Sequence, residues 1–132
     1  MKIGIGIGIT GSEGLPEVIR QIQRAEESGF DAAWLPNIFG LDAVMTLALA
    51  GRETSRIELG TFVVPTYPRH PMALAQQALT ASAAAAGRFT LGIGLSHRVV
   101  IEGMFGLDYS KPVRHMREYL SVLVPLLEGK PV

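Results

Sequence analysis

The chain has 132 residues, 48% of them hydrophobic, with 12 basic and 12 acidic side chains, the composition of one ordinary globular domain. Zero net charge, with no basic cluster beyond Arg114, His115 and Arg117, excludes the electrostatic footprint by which nucleic acid or an anionic membrane surface is held, and no apolar run approaches the ~18 residues of a spanning helix. The absence of cysteine excludes disulfides, thiolate metal sites and a cysteine nucleophile, and the first residues lack the pattern of a secretory signal, so the expected location is the cytoplasm.

Residues 2–9 read as a strand. Within it the stretch GIGIGITGSEG, from Gly4 to Gly14, carries glycine at every second position, and Gly6, Gly8 and Gly11 spell G-x-G-x-x-G. A dinucleotide-binding turn needs the next helix to start inside the motif and an acidic residue at the end of the second strand. Here the helix is expected to begin near Pro16, and Asp31 precedes the second strand. The match is therefore read as accidental, and the glycines as an inward-facing barrel strand that leaves room for a ring or a bulky neighbour.

Leu15, Val18, Ile19, Ile22 and Ala25 follow at helical spacing until Gly29 stops the helix. Residues 32–35 form a second strand closed by Pro36, and Asp42 caps a helix over residues 43–50. Residues 57–64, rich in branched side chains and closed by Pro65, form a third strand. Pro71 begins an alanine-rich helix that ends at Gly87. Residues 89–94 form a fourth strand, with Gly92 and Gly94 repeating the glycine alternation. A loop over residues 95–111 then leads to a helix from about residue 112, with Val113, Met116, Leu120, Leu123 and Leu127 on one face and Pro125 shortening or kinking its end. Strands apolar on both faces, each followed by an amphipathic helix, specify an α/β fold with a parallel sheet and right-handed crossovers. Four βα units in one domain of 132 residues are close to half of a (β/α)8 barrel of TIM-barrel type, which takes about 250 residues.

The segments GFDAAWLPNIFG, IELGTFVVPTYPRHPMALAQQALTASAAAAGRFTLGIGLSH and PVRHMREYLSVLVPLLEGKPV resemble, in order and spacing, the amino-terminal half of the bacterial luciferase-like superfamily. Within it the chain is most similar to the deazaflavin (coenzyme F-420) dependent oxidoreductases. The resemblance implies a barrel of about twice this length, with strands five to eight absent from this stretch. A half-barrel exposes two strand edges and an apolar face, so a homo-oligomer or completion by a second half-barrel is expected.

Barrel sites gather at the carboxyl ends of the strands, here residues 10–14, 36–41, 65–70 and 95–108. The resemblance implies a backbone bulge at Thr61, Phe62 and Val63 that presses against the central ring of a flavin or deazaflavin, with a non-prolyl cis peptide between Phe62 and Val63. Phe62 is bulkier than the residue the family often carries there. Thr10, Gly94, Leu95 and Ser96 complete the expected cofactor-binding set, the amides of Leu95 and Ser96 facing a carbonyl edge of the ring. His97 is the expected proton donor, since its ordinary pKa near 6.5 suits the role. Asn37 is the second candidate catalytic residue, orienting a carbonyl through its amide. Asn37 and Ile38 stand where sugar-phosphate dehydrogenases of the superfamily carry an acidic residue and a histidine, which argues against that activity. Arg69 and His70 are expected to fix and cap the third helix entrance, His115 to face solvent, and no spacing suggests a metal. The implied reaction is hydride transfer between reduced F-420 and a small organic substrate. The alternatives are an FMN-dependent monooxygenation and a non-catalytic half-barrel acting as a dimer or subunit.

Overall fold

In the computed structural model residues 1–8 and 11–132 are described. Thr10 and the last residue of the expected first strand, Ile9, lie outside them. The strand segments are β1 (Gly4–Gly6), β2 (Ala32–Leu35), β3 (Glu58–Thr61), β4 (Val64–Pro65), β5 (Phe89–Thr90) and β6 (Ile93–Gly94). β1, β2, β3 and β5 form one sheet in that order, β4 pairs with β6, and every pairing is parallel. The helices are α1 (Leu15–Glu27), α2 (Ala43–Arg52), α3 (Pro71–Ala84), α4 (Arg98–Gly103) and α5 (Pro112–Leu127). This is the α/β class of four βα units expected from the alternation of apolar runs and amphipathic stretches.

Local chemistry explains where the helices start. α1 begins at Leu15, after an extended Gly14, with Pro16 in its first turn and Glu17 bonded to Arg20 at 2.9 Å and to Arg24 at 2.7 Å. Gly8 and Gly11 adopt positive φ of 61° and 70°, so they turn the chain and open no helix. The dinucleotide reading fails on that geometry. Asp42 caps α2 by accepting from the Met45 N–H at 2.9 Å, and His70 caps α3 through Nδ1, which accepts from the Met72 N–H at 3.2 Å.

The sheet face that carries Ile5 of β1, and Ile7 just after it, meets the helices. Ile7, Ala33, Leu35 and Leu59 bury against Val18 and Ile22 of α1 and Leu47 of α2. A second cluster joins Val44, Val64 and Leu74 to Tyr119 and Leu123 of α5. On α5 the buried stripe is centred on Tyr119 and Leu123, whereas Val113 is 71% exposed and Leu120 39%. The expected apolar face is thus rotated toward Tyr119, because the helix packs on α3 by that side and leaves Val113 and Leu120 on its flank. Pro125 lies inside α5, which ends two residues later.

The opposite sheet face carries Gly4, Gly6, Trp34 and Gly60. An added Cβ would fall 2.7 Å from Trp34 Nε1 at Gly4 and 2.2 Å from Trp34 Cζ3 at Gly60, so the ring that occupies the glycine-lined space there is the chain's own indole, spread over both neighbouring strands.

The third and fourth expected strands are each broken in two. Between β3 and β4 lies a cis peptide joining Phe62 and Val63, and between β5 and β6 lie Leu91 and Gly92. The Thr61 hydroxyl spans the gap, accepting from the Gly92 N–H and donating to the Gly92 carbonyl, each at 2.8 Å. It supplies hydrogen bonds that the interrupted ladder does not.

Glu26, at the end of α1, fixes the entry to β3. Its carboxylate accepts from the backbone N–H groups of Ser55 at 3.1 Å, Arg56 at 2.6 Å and Ile57 at 2.9 Å. Desolvation acts to raise its pKa, but these three donors and the Arg56 charge outweigh it and hold the group below its ordinary 4.5. A carboxyl whose folded pKa is depressed adds stability above the unfolded value and loses it as pH falls through the folded one. Glu26→Gln is therefore expected to cost about 0.5–1 kcal/mol at neutral pH, a modest figure because solvent reaches the group. Melting curves of both proteins should converge as the pH drops below about 4.5, and a gap that stays constant down to strongly acid pH would refute the assignment.

Candidate functional site

Parallel strands place all their carboxyl ends on one edge, and there the structure holds a cavity of about 540 Å³. Three chain segments wall it. The loop after β2 supplies Pro36, Asn37, Ile38 and Phe39; the β3–β4 break supplies Phe62 and Val63, followed by Pro65 of β4 and by Pro68 and Arg69 beyond it; the segment after β6 supplies Ser96, His97, Val100 and Phe105. Phe62 and Val63 remain 43% and 42% exposed, which places their apolar surface at the cavity instead of in the core.

Asn37 is tied down from two sides. Its Oδ1 accepts from the Ala43 N–H at 3.0 Å and from Arg69 Nη2 at 3.3 Å. Arg69 in turn pairs with Asp42 at 2.5 Å, with the two side chains only 17% and 29% exposed. Three residues from two loops so brace the cavity's floor, and the Asn37 carbonyl is engaged in that brace, leaving its amide N–H groups as the part a ligand can meet. Arg69 and His70 fix and cap the α3 entrance in the manner expected, and Arg69 also reaches the cavity wall.

His97 is exposed at the N-cap position of α4, where its side chain makes no capping bond. Ser96 adopts φ 62°, a left-handed conformation uncommon for a residue with a Cβ, and its carbonyl accepts from the Tyr109 hydroxyl at 3.1 Å. Thus Asn37, Phe62, Val63, Ser96 and His97 are brought together. Thr61, Gly94 and Leu95 are not on the wall: Thr61 is buried and turned to Gly92, and Gly94 lies behind Val63, where an added Cβ would fall 2.5 Å from Val63 Cγ2. Thr10 lies outside the described residues.

Two departures from the sequence reading bear on the site. The stretch read as a loop from residue 95 contains α4, whose Arg98 and Glu102 pair across one turn at 2.6 Å and whose Ile101 is fully buried. The R-x-x-x-E spacing was its one available signal. His115 does not face solvent freely. Its ring stacks on Tyr67 with centroids 3.8 Å apart and planes at 7°, and its Nε2 lies 3.0 Å from the Thr66 hydroxyl. Burial pushes the imidazole below its ordinary 6.5, against the opposing pull of Glu118. Tyr119, beside it, is pushed up to about 12 by the same desolvation. An isolated histidine between arginines carries no sign of such packing, because its partners come from a loop almost fifty residues earlier.

Among the described residues no three histidine, aspartate or glutamate side chains gather as a metal site requires, and no helix is long and apolar enough to cross a membrane.

Residues 2–132 match the model of the luciferase-like monooxygenase family. A Mycobacterium tuberculosis protein named as a coenzyme F-420-dependent oxidoreductase is 36% identical over 123 residues, which are 93% of this chain and 35% of that protein. The solved structure of the coenzyme F-420-dependent tetrahydromethanopterin reductase from Methanopyrus kandleri superposes with a TM-score of 0.80 at 25% identity, over 98% of this chain and 40% of the reductase. The oxygenating constituent of 3,6-diketocamphane monooxygenase from Pseudomonas putida, in complex with FMN, shares the fold with a TM-score of 0.85 at 19% identity, over 100% and 41% of the two chains. The chain thus spans little more than a third of the length of these relatives. With its parallel βα units, its cavity at the strands' carboxyl edge and a match over nearly every residue, it belongs to the luciferase-like monooxygenase family.

Proposed function

We propose that the cavity receives the ring system of a flavin-type cofactor, coenzyme F-420 in the first place, and that the protein acts in hydride transfer between it and a small organic substrate. The observation that carries this reading is the shape of the wall. A cavity of about 540 Å³ falls within the range of small-molecule sites, which are mostly apolar with a few placed polar groups. Here Phe62 and Val63 offer an apolar back, and Asn37, Ser96 and His97 stand around it. The likeness to a relative named for F-420 favours the deazaflavin.

When bound, the reduced deazaflavin supplies the hydride. The chain's own part is placement and proton handling. The Phe62–Val63 segment supports one face of the ring, with Thr61 and Gly94 holding that segment from behind. The Ser96 amide and the Asn37 amide group meet polar edges of the ring or substrate, and the neighbouring Leu95 amide is kept in the set by the family resemblance alone, as is Thr10. His97 gives or takes the proton at an imidazole nitrogen, its side chain free of any capping bond. The phosphate-bearing tail and much of the substrate surface would come from chain beyond these βα units, or from a partner that completes them, either a second copy or a second half-barrel.

FMN is the second reading, favoured by the fold shared with an FMN-bound monooxygenase. In that case the protein would catalyse insertion of one oxygen atom from dioxygen into a substrate. A non-catalytic half-barrel serving as a subunit is the third. Titration of the purified chain with oxidised F-420 and with FMN, followed by their visible absorbance, is expected to give saturable binding of F-420 at ~10–50 µM or below, a modest affinity for a ring held by part of its site. Oxygen uptake with reduced FMN would shift the reading to the monooxygenase. A folded preparation that binds neither compound in that range would leave only the non-catalytic subunit.

A further inference from the structure

We infer that Tyr109 is a positioning residue for this cavity, its phenol O–H holding the Ser96 carbonyl so that the Ser96–His97 wall keeps the shape that receives the ligand. The inference rests on the proposed cofactor reading for what the wall receives, and on the geometry alone for what holds it.

Ser96 and His97 form the cavity's third side, immediately after β6 and before α4. Ser96 stands at φ 62°, a conformation that an L-residue with a Cβ enters only when its surroundings favour it. The side-chain hydrogen bond that fixes this residue's backbone is the one from the Tyr109 hydroxyl to the Ser96 carbonyl, at 3.1 Å.

Tyr109 is itself fixed by contacts that do not involve the cavity. Its ring stacks on Tyr67 with centroids 5.0 Å apart and planes at 29°. The Arg98 guanidinium lies 5.3 Å from the ring centroid, within the range of a cation–π contact. The same guanidinium donates to the Tyr109 carbonyl at 3.3 Å and to Glu102 at 2.6 Å, and Glu102 accepts from the Tyr109 N–H at 3.4 Å. Tyr67 is carried by His115, stacked at 3.8 Å, and His115 is bonded to Thr66, whose N–H donates to the Gly94 carbonyl at 3.0 Å. The chain of contacts therefore starts at the end of β6 and returns two residues beyond it: from Gly94 through Thr66, His115, Tyr67 and Tyr109 to Ser96. A closed ring of this kind determines the direction in which the segment leaves β6, and with it where His97 stands. The tyrosine hydroxyl is where this ring of contacts meets the wall, at the Ser96 carbonyl.

The test uses Tyr109→Phe, which removes the hydroxyl and keeps the ring on Tyr67 and under Arg98, so the stack and the fold are retained. In the ligand-free protein, backbone amide resonances of Ser96 and His97 are expected to move and broaden, while those of Val63 and Asn37, on the other walls, stay in place. Tyr67→Leu, which keeps the hydroxyl but removes the ring it leans on, should move the same amides to a smaller extent. Affinity for oxidised F-420 is expected to fall about five- to tenfold in the phenylalanine variant, the size of one hydrogen bond. Unmoved Ser96 and His97 amides would overturn the inference, as would moved amides with unchanged affinity. If the unmodified chain binds neither F-420 nor FMN while these amides still move, the cofactor reading falls and the positioning role of Tyr109 stands.

Discussion

Gly92→Ala is expected to lower the melting temperature by about 10 °C, the equivalent of about 3 kcal/mol in a domain of this size. Gly92 faces the carboxyl end of β3 so closely that an added Cβ would lie 2.0 Å from the Thr61 carbonyl oxygen and 3.1 Å from its carbon. The obstacle is backbone and cannot rotate away. Separating the two segments would also break the paired bonds of the Thr61 hydroxyl to Gly92 and the bond from the Val64 N–H to the Gly92 carbonyl at 2.9 Å. Gly94→Ala is the informative contrast. There the obstructing atom is Val63 Cγ2 at 2.5 Å, the tip of a side chain that is half exposed to the cavity. Turning it outward costs stability little, about 1 kcal/mol, but moves a methyl group into the space the ring would fill. Thermal unfolding followed by circular dichroism, with F-420 titration of both variants, should show Gly92→Ala losing stability and Gly94→Ala losing affinity. Equal melting temperatures for Gly92→Ala and the unmodified chain would rule out the close approach described here.

Arg88→Ala is the second large effect, expected at about 3 kcal/mol. The Arg88 guanidinium lies at the corner between α3 and β5 and donates to four acceptors: the carbonyls of Ile57 at 2.7 Å, Gly51 at 2.9 Å and Thr54 at 2.9 Å, and the Thr54 hydroxyl at 3.2 Å. It thereby ties the end of α2 to the start of β3. Removing it leaves several partly buried carbonyls without a donor, and each such loss costs more than the bond was worth net. Arg88→Lys should recover less than half of the loss, because one ammonium cannot reach acceptors that a planar fork spans in two directions. The measurement is again the melting temperature. Full rescue by lysine would show that charge, and not the geometry of the fork, is what the corner requires.

Much of the architecture was legible because the helix starts are written locally. Pro16, Pro71 and Pro112 stand in first turns, Asp42 caps its helix, and the apolar runs between them are long enough to distinguish parallel strands. The interruptions were not legible in composition. Residues 57–64 read as one continuous strand since Phe62 and Val63 both favour extended structure, and it was family resemblance that pointed to a bulge and a cis peptide there. α4 has six residues, too few to show a periodicity. At the site, the placement of His97 and Ser96 followed from their position after a strand. The bracing of Asn37 did not, because Arg69 lies 32 residues away in the chain and Asp42 is 27 residues from Arg69. Such a network depends on which loops the barrel edge brings together. For the same reason Thr61 and Gly94 belonged to the expected set but prove to stand behind the wall: proximity along the strand does not tell which side a residue faces once the strand is broken.

The indole of Trp34, laid across Gly4 and Gly60 on the sheet face away from the helices, is the chain's one tryptophan. Its emission is therefore a built-in optical gauge of that face alone. A further layer of chain settling over the sheet would change the polarity around the indole and move the emission to shorter wavelength, and a chromophore bound nearby would quench it by energy transfer. The glycine alternation at the start of the sequence thus gives the molecule a single fluorophore whose signal distinguishes a covered sheet from a bare one without any label being added.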